Sequence, residues 1–304
     1  AFEIVVLAVL LVLSFRLKMR FFIPAQALFI FLFFSHIVIT KVSPNFPSIT
    51  FLDVGHGDSI VIRNPMGKTL VWDSARKKHA NSINNYLKAL GSHTLDSVIL
   101  THPDNDHSGS AGSIANKFGM KVYVADSMKD KFAAVDKKKL LGISEFKGFM
   151  SLDILERKYP EWFSDNNNSM IGSFDFKFFK VLLPADLEWA GEELLLDKIG
   201  KYKILQLGHH GSKTSSSRAF IEKVSPEIAI HSGKTKNLHP DTIALLKEKK
   251  IKLFSTAEHG TLQIHLFKKN KRTNLQLKIK SYKNGNWKTI HSEYVEKMSL
   301  FKFR

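Results

Sequence analysis

Cysteine is absent from this 304-residue chain. That excludes a disulfide framework and any thiolate metal site. It permits an oxidising compartment without requiring one. A bound metal would have to be held by His, Asp or Glu, and 13 histidines make that feasible. Acidic side chains are in deficit: 28 Asp and Glu stand against 45 Lys and Arg, a formal net charge of +17. Such a surface attracts polyanions, nucleic acid or anionic lipid heads. Much of the charge lies in lysine runs at 137–139, 247–250 and 268–272. No internal repeat is visible. Hydrophobic residues at 44% and charged residues at 24% exclude wholesale disorder. The length suits one large domain or two small ones.

Long apolar runs are confined to the first forty residues or so. Residues 21–40 carry no charge and are about long enough to span a bilayer core of roughly 30 Å. Residues 1–15 are apolar apart from Glu3. Arg16, Lys18 and Arg20 lie between the two runs, and the positive-inside rule makes that loop cytoplasmic. The expectation is a membrane helical hairpin over 1–41 in the cell (inner) membrane of a multi-pass protein. Because the chain opens on Ala, the hairpin is expected to end a longer membrane domain. Residues 42–48, with Pro44 and Pro47, read as a linker. A soluble extracytoplasmic domain is expected over 49–285, then a basic tail over 286–304.

Within the domain, alternation predicts strands at 49–54, 59–63 and 69–73, followed by a helix at 80–90 that Gly91 stops. Strands follow near 97–101 and 122–124. Residues 129–159 read as mixed helix and loop. Residues 174–183 read as a strand or a hairpin arm, and 189–199 as a helix. A strand at 202–207, a helix at 218–224 and a strand at 228–230 come next. Then come a helix at 241–249 capped by Asp241 and closing strands at 253–256, 261–267 and 275–281. The order suggests an α/β (α+β) architecture of two mixed layers with helices outside.

One loop concentrates the chemistry. His102-Pro103-Asp104-Asn105-Asp106-His107 follows the strand near 97–101, and either Asp106 or Ser108 is placed to cap a helix at 111–118. Two carboxylates and two imidazoles that close either form a solvated turn or hold divalent cations. Asp186, His209, His210 and His239 stand at other strand ends or helix starts.

Five stretches in register carry a family resemblance. They are residues 51–59 (FLDVGHGDS), the loop at 102–107, Asp186, the His209-His210-Gly211-Ser212 box with 213–217, and Asn237-x-His239-Pro240. From about Phe51 to Gly260 the chain resembles the metallo-β-lactamase-like domain of the ComEC family of DNA-uptake competence proteins. The resemblance implies an αββα sandwich beside membrane helices, with the metal site at the edge between the sheets. It implies metal ligands at His102, Asp104, Asp106, His107 and Asp186, with Asp186 bridging, and at His209 or His210, of which His209 is favoured. Asp106 and Asp186 would be the catalytic carboxylates. Asp53, Asp58 and Asp73 would buttress the ligands, and Lys213, Ser215, Asn237 and His239 would hold substrate phosphate. His56 stands where the family usually has Gln, Pro184-Ala185-Asp186 replaces Thr-Gly-Asp, and Ser110 replaces Gly.

The implied function is a membrane-anchored, metal-dependent phosphodiesterase acting on DNA during uptake. A carboxylate-rich donor set points to two ions of Mn²⁺ or Zn²⁺. Expected partners are DNA, the lipid bilayer, an upstream membrane channel domain and other competence proteins. Two other functions stay open: a non-enzymatic DNA-binding or membrane-assembly module with a structural or lapsed site, and hydrolysis of a small anionic ester.

Overall fold

Short β-branched runs make the strands, and Gly, Pro and Asn break them. A computed structural model describes residues 47–64, 66–91, 95–133, 135–149, 152–155, 163–177, 179–268 and 274–297. The expected membrane hairpin at 1–41, linker residues 42–46 and residues 298–304 lie outside these. Among the described residues no helix is long and apolar enough to cross a membrane.

Strands β1 (Ser48–Phe51), β2 (Ile60–Arg63) and β3 (Thr69–Trp72) form an antiparallel meander. β4 (Ser97–Ile99), β5 (Val122–Val124) and β6 (Leu140–Gly142) continue it in parallel. The chain then crosses to a second sheet. β7 (Leu152–Leu155), β8 (Ile171–Asp175) and β9 (Lys180–Leu183) are antiparallel there. β10 (Ile204–Gln206), β11 (Ile228–His231) and β12 (Lys252–Ser255) run parallel to β9. Finally β13 (Thr261–Lys268), β14 (Asn274–Lys283) and β15 (Asn286–Lys297) return to pair antiparallel beyond β1. The strand orders are β15-β14-β13-β1-β2-β3-β4-β5-β6 and β12-β11-β10-β9-β8-β7.

Period-2 alternation puts the second sheet between two apolar layers. Val181, Leu183, Ile204, Ile228 and Ile230 join Trp72, Ile99 and Phe51 in the main core. Their neighbours Leu182, Leu205 and Ala229 turn the other way. They meet Phe220, Ile221 and Val224 of one helix and Leu245 and Leu246 of another. Each fully buried side chain of this size stabilises by about 1.5–3 kcal/mol. The helices are α1 (Ala80–Ala89), α2 (Asn105–Ser108), α3 (Ala111–Phe118), α4 (Trp189–Glu193), α5 (Arg218–Val224), α6 (Pro240–Glu248) and α7 (Thr256–His259).

Several expectations need correction. The metal-type loop is not all turn, because 105–108 close one helical turn. The amides of His107 and Ser108 donate to the Asp104 carbonyl, so neither Asp106 nor Ser108 caps α3, which begins after Ser110. α6 is capped by His239, whose Nδ1 accepts from the Asp241 amide, and not by Asp241. The run at 174–183 is a hairpin, its turn tied by Asp175 accepting from the Lys177 amide. The 189–199 helix stops as regular α-helix at Glu193. The described residues of 129–155 hold two short strands among 3₁₀ turns and no α-helix. The supposed basic tail is largely strand. Asn284 (φ 53°) and Gly285 (φ 82°) make a two-residue turn that returns the chain as β15. Residues Phe46–Arg304 form one compact unit.

The sheets meet closely at one glycine. A Cβ on Gly172 of β8 would lie 2.9 Å from two ring carbons of Trp72, which is fully buried on β3. Gly172→Ala should therefore wedge the sheets and cost about 1–3 kcal/mol. Denaturant unfolding should show the lower midpoint.

Candidate metal centre

The polar residues gather because strands of both sheets end at one edge. Asp73 follows β3, His102 follows β4, Asp186 follows β9, and His209 and His210 follow β10. Backbone hydrogen bonds lace the loops together. The Asp73 amide donates to the Ile99 carbonyl (2.9 Å), the Asp58 amide to Asp106 (3.1 Å) and the Met170 amide to Thr101 (3.0 Å). Asp73, Ala75, Ala185, His209 and His210 all have φ between 46° and 58°, a conformation costly for side chains bearing a Cβ. Strain therefore collects around the edge where the side chains must converge.

Hydrogen bonding fixes the tautomer of three buried imidazoles. His107 Nδ1 donates to Asp73 Oδ2 at 2.8 Å. His210 Nδ1 donates to the Ser232 carbonyl at 2.9 Å. Thr101 Oγ1 spends its only proton on Asp73 Oδ2 (2.8 Å), so it must accept from His102 Nδ1 (3.0 Å). In its neutral form each imidazole thus offers its lone pair at Nε2, and these nitrogens face one another. His107 Nε2 and His210 Nε2 are 3.3 Å apart. His107 Nε2 is 3.2 Å from Asp186 Oδ1, and His102 Nε2 is 3.8 Å from Asp186 Oδ2.

These atoms are short of positive charge. His102 Nε2 and Asp58 Oδ1 are buried and have no hydrogen-bond partner among the described residues, and Asp186 Oδ1 faces His107 Nε2 at 3.2 Å. Two lone pairs at 3.3 Å repel unless a proton or a cation lies between them. Donor atoms come within 4.8 Å of one another in overlapping sets: His102, His107 and Asp186; Asp58, Asp186 and His210; Asp58, Asp73 and His107; and His56, Asp106 and His210. The donor chemistry, imidazole nitrogen with carboxylate oxygen, fits a divalent cation.

The expected residues fall into three groups. His102, Asp106, His107, Asp186 and His210 converge. Asp73 accepts from His107 Nδ1, and Asp58 stands among the donors, its other oxygen accepting from Gln206 Nε2 at 2.6 Å. Two residues sit nearby. Asp104 is half exposed, its carboxylate 3.8 Å from His102 Nε2. His209, the histidine the resemblance favours, is 3.8 Å from Asp186 Oδ2 but turns its Nδ1 to Glu188 at 3.4 Å. It belongs to none of the donor sets, and His210 does. The remaining residues stand outside the donor sets. Asp53 is exposed, and its carboxylate accepts from the Gly55 amide. Ser215 Oγ donates to the Leu187 carbonyl, and the amides of Ser216 and Ser217 hold the buried carboxylate of Glu192. The serine run thus cradles an internal anion. Lys213, Ser215 and His239 line a notch of about 220 Å³ with Trp189 and Arg218. Asn237 lies against His56 Nδ1 at 2.6 Å. Sequence reasoning missed three residues: His56, 3.0 Å from Asp106 Oδ2; Arg76, 3.6 Å from the same oxygen; and Gln206.

The chain is similar in sequence to several known proteins. Residues 52–149 match the metallo-beta-lactamase superfamily. The chain is 28% identical to ComE operon protein 3 of Bacillus subtilis, over 71% of this chain and 32% of that one. It is 30% identical to competence protein ComA of Neisseria gonorrhoeae, over 74% of this chain and 33% of that one. A solved metallo hydrolase from Ignicoccus hospitalis, Igni18, aligns with TM-score 0.48 and 15% identity, covering 73% of this chain and all of that one. The domain has a mixed α/β, metallo-β-lactamase-like fold. Its homologues over most of the chain are competence proteins of the ComEC family, as the sequence resemblance implies. The chain spans about a third of the length of these relatives.

Electrostatics predict how pH and metal trade places. Burial holds His102 down to about 3, and the charge of His107 adds to it. Burial also works against a charged His107, but Asp186 and Asp73 outweigh it and hold this imidazole well above 6.5. Burial works against a charged Asp186, yet His107 and His210 hold it well below 3.8. The His107 proton therefore stabilises the metal-free fold fully below 6.5, and that contribution is lost as pH rises through the raised value. The Asp186 charge contributes above 3.8 and is lost as pH falls through the lowered value. A cation must displace the His107 proton. Stabilisation by Mn²⁺ or Zn²⁺ should thus keep growing as pH rises past 6.5 toward the raised value of His107, with protons released on binding. Thermal melts with and without metal check this. Asp73→Asn should weaken metal binding about 10- to 100-fold, read by titration.

Proposed function

We propose that this chain is a metal-dependent phosphodiesterase that cleaves DNA during uptake, anchored to the membrane with the domain on the extracytoplasmic side. The observation that carries the reading is the convergence of three oriented Nε2 lone pairs on the Asp186 and Asp106 carboxylates at an open edge. A divalent pair, Mn²⁺ or Zn²⁺, would supply Lewis acidity toward a phosphoryl oxygen and lower the pKa of water. His102, His107 and His210 would hold it through Nε2, and Asp186 and Asp106 through carboxylate oxygen.

The chain's other groups suit a phosphodiester. Arg76 stands 3.6 Å from Asp106 with a half-exposed guanidinium, placed to meet a phosphate oxygen at the mouth. Lys213 and His239 in the neighbouring notch can take a second phosphate along a strand, with Trp189 offering an aromatic face. The formal charge of +17 favours a polyanion over a neutral lactam. Similarity to competence proteins supports DNA as that polyanion and supports assembly with an upstream membrane domain and other competence proteins.

The test is cleavage of linear DNA by the purified chain with Mn²⁺. Asp186→Asn should lower the rate at least about a hundredfold, and chelation should abolish cleavage. No cleavage by the metal-loaded chain, with DNA binding that survives chelation, would favour the non-enzymatic binding module instead.

A further inference from the structure

We infer that His56 is a further protein ligand of this centre, holding an outer ion with Asp106 and His210. The inference rests on the metal-centre reading and deepens it. His56 Nε2 lies 3.0 Å from Asp106 Oδ2, and His210 Nε2 lies 3.9 Å from the same oxygen. The two imidazole centroids are 4.7 Å apart, with the rings tilted by 59°. One donor atom from each of the three residues falls within 4.8 Å of the others. This set shares His210 with the inner donors but faces solvent. The His56 side chain is 29% exposed and that of Asp106 14%, whereas those of His102 and His107 are fully buried.

The loop that carries His56 is built to press on Asp106. Gly57 has φ +117°, and a Cβ there would lie 2.3 Å from the Asp106 carbonyl oxygen. Only glycine allows that approach. The Asp58 amide then donates to the same carbonyl at 3.1 Å, and Ser232 Oγ donates to the Gly57 carbonyl at 3.4 Å. His56 is fixed from behind by Asn237, whose Nδ2 lies 2.6 Å from Nδ1. A polar partner on the far ring nitrogen is the arrangement that orients metal-binding imidazoles. An asparagine amide can present either its NH₂ or its carbonyl. As placed, the amide NH₂ donates to Nδ1, which leaves the ring proton on Nε2 toward Asp106; turning the amide through 180° puts its carbonyl on Nδ1, and His56 then keeps its proton there and offers the Nε2 lone pair outward. The competing role is a simple hydrogen bond, with Nε2–H donating to Asp106.

Glutamine separates the two roles. His56→Gln can still donate to Asp106 from its amide but is a poor ligand, whereas His56→Ala can do neither. Metal content and Co²⁺ absorption would be measured on the full wild-type chain and both variants, with thermal melts as the fold control. The expected result is that both variants lose the outer ion or bind it at least about tenfold more weakly, and that both change the Co²⁺ spectrum. Asn237→Ala should reproduce part of that loss. Wild-type stoichiometry, affinity and spectrum in His56→Gln would overturn the assignment while leaving the inner centre standing. A wild-type chain that takes up no metal would overturn both.

Discussion

The centre depends on where three imidazole protons sit. Asp73, Thr101 and Ser232 each anchor a histidine by Nδ1, and so they decide that each ring turns its Nε2 to the centre. Burying one unpaired polar atom costs about 1–3 kcal/mol. Among the described residues His102 Nε2 and Asp58 Oδ1 are buried without hydrogen bonds beside the buried Asp186 carboxylate, and a native fold carries such a concentration only where something offsets it. A shared proton on His107 meets part of the demand, which is why Asp186 and Asp73 raise that imidazole's affinity for it. A divalent cation meets more of it, because one ion satisfies nitrogen and oxygen donors at once. Proton and metal are thus rivals for the same lone pairs.

Convergence on this scale needs a backbone that turns sharply at strand ends. Asp73, Ala185, His209 and His210 hold positive φ without being glycine, each at a cost of order 1–2 kcal/mol. The two-sheet core supplies the rigidity that keeps them there. Hydrogen bonds between loops distribute the load: the His209 amide donates to the Ala185 carbonyl, and the Ser212 amide to the His209 carbonyl. The serine run belongs to this support. By holding the buried Glu192 carboxylate through two amides, it fixes the turn that follows the histidine pair.

Much of this was legible from the chain, for reasons that can be named. The helix over 218–224 was readable because Phe220, Ile221 and Val224 repeat at helical spacing and Pro226 ends it. The 102–107 loop was readable because its donors are local. What stayed hidden depends on contacts distant in sequence. Nothing around Ser216 announces Glu192, 24 positions away, so its free-looking run suggested phosphate. Nothing around Gln206, inside an apolar strand, announces Asp58 at a separation of 148. The choice between His209 and His210 turns on two adjacent left-handed residues, and spacing carries no trace of which ring each sends inward. The β15 strand was legible in principle from Asn284-Gly285, but its lysines and exposed alternation resemble a solvated tail.

Two departures from the resembled family's motifs, at 185 and 56, lie around the same carboxylates. Ala185 takes the left-handed conformation that the usual glycine would take freely, so the main chain before Asp186 keeps its course. His56 takes the place of the usual glutamine, 3.0 Å from Asp106. Both substitutions exchange a permissive or neutral group for one that constrains the centre. Asp186 contacts His102, His107, His209 and His210, so it spans the inner donors and the outer rim. A carboxylate in that position ties the occupancy of one side to that of the other, because any ion drawing on one oxygen changes the charge felt at the other. The number of ions and the protonation of His107 are therefore one coupled property of the edge between the sheets.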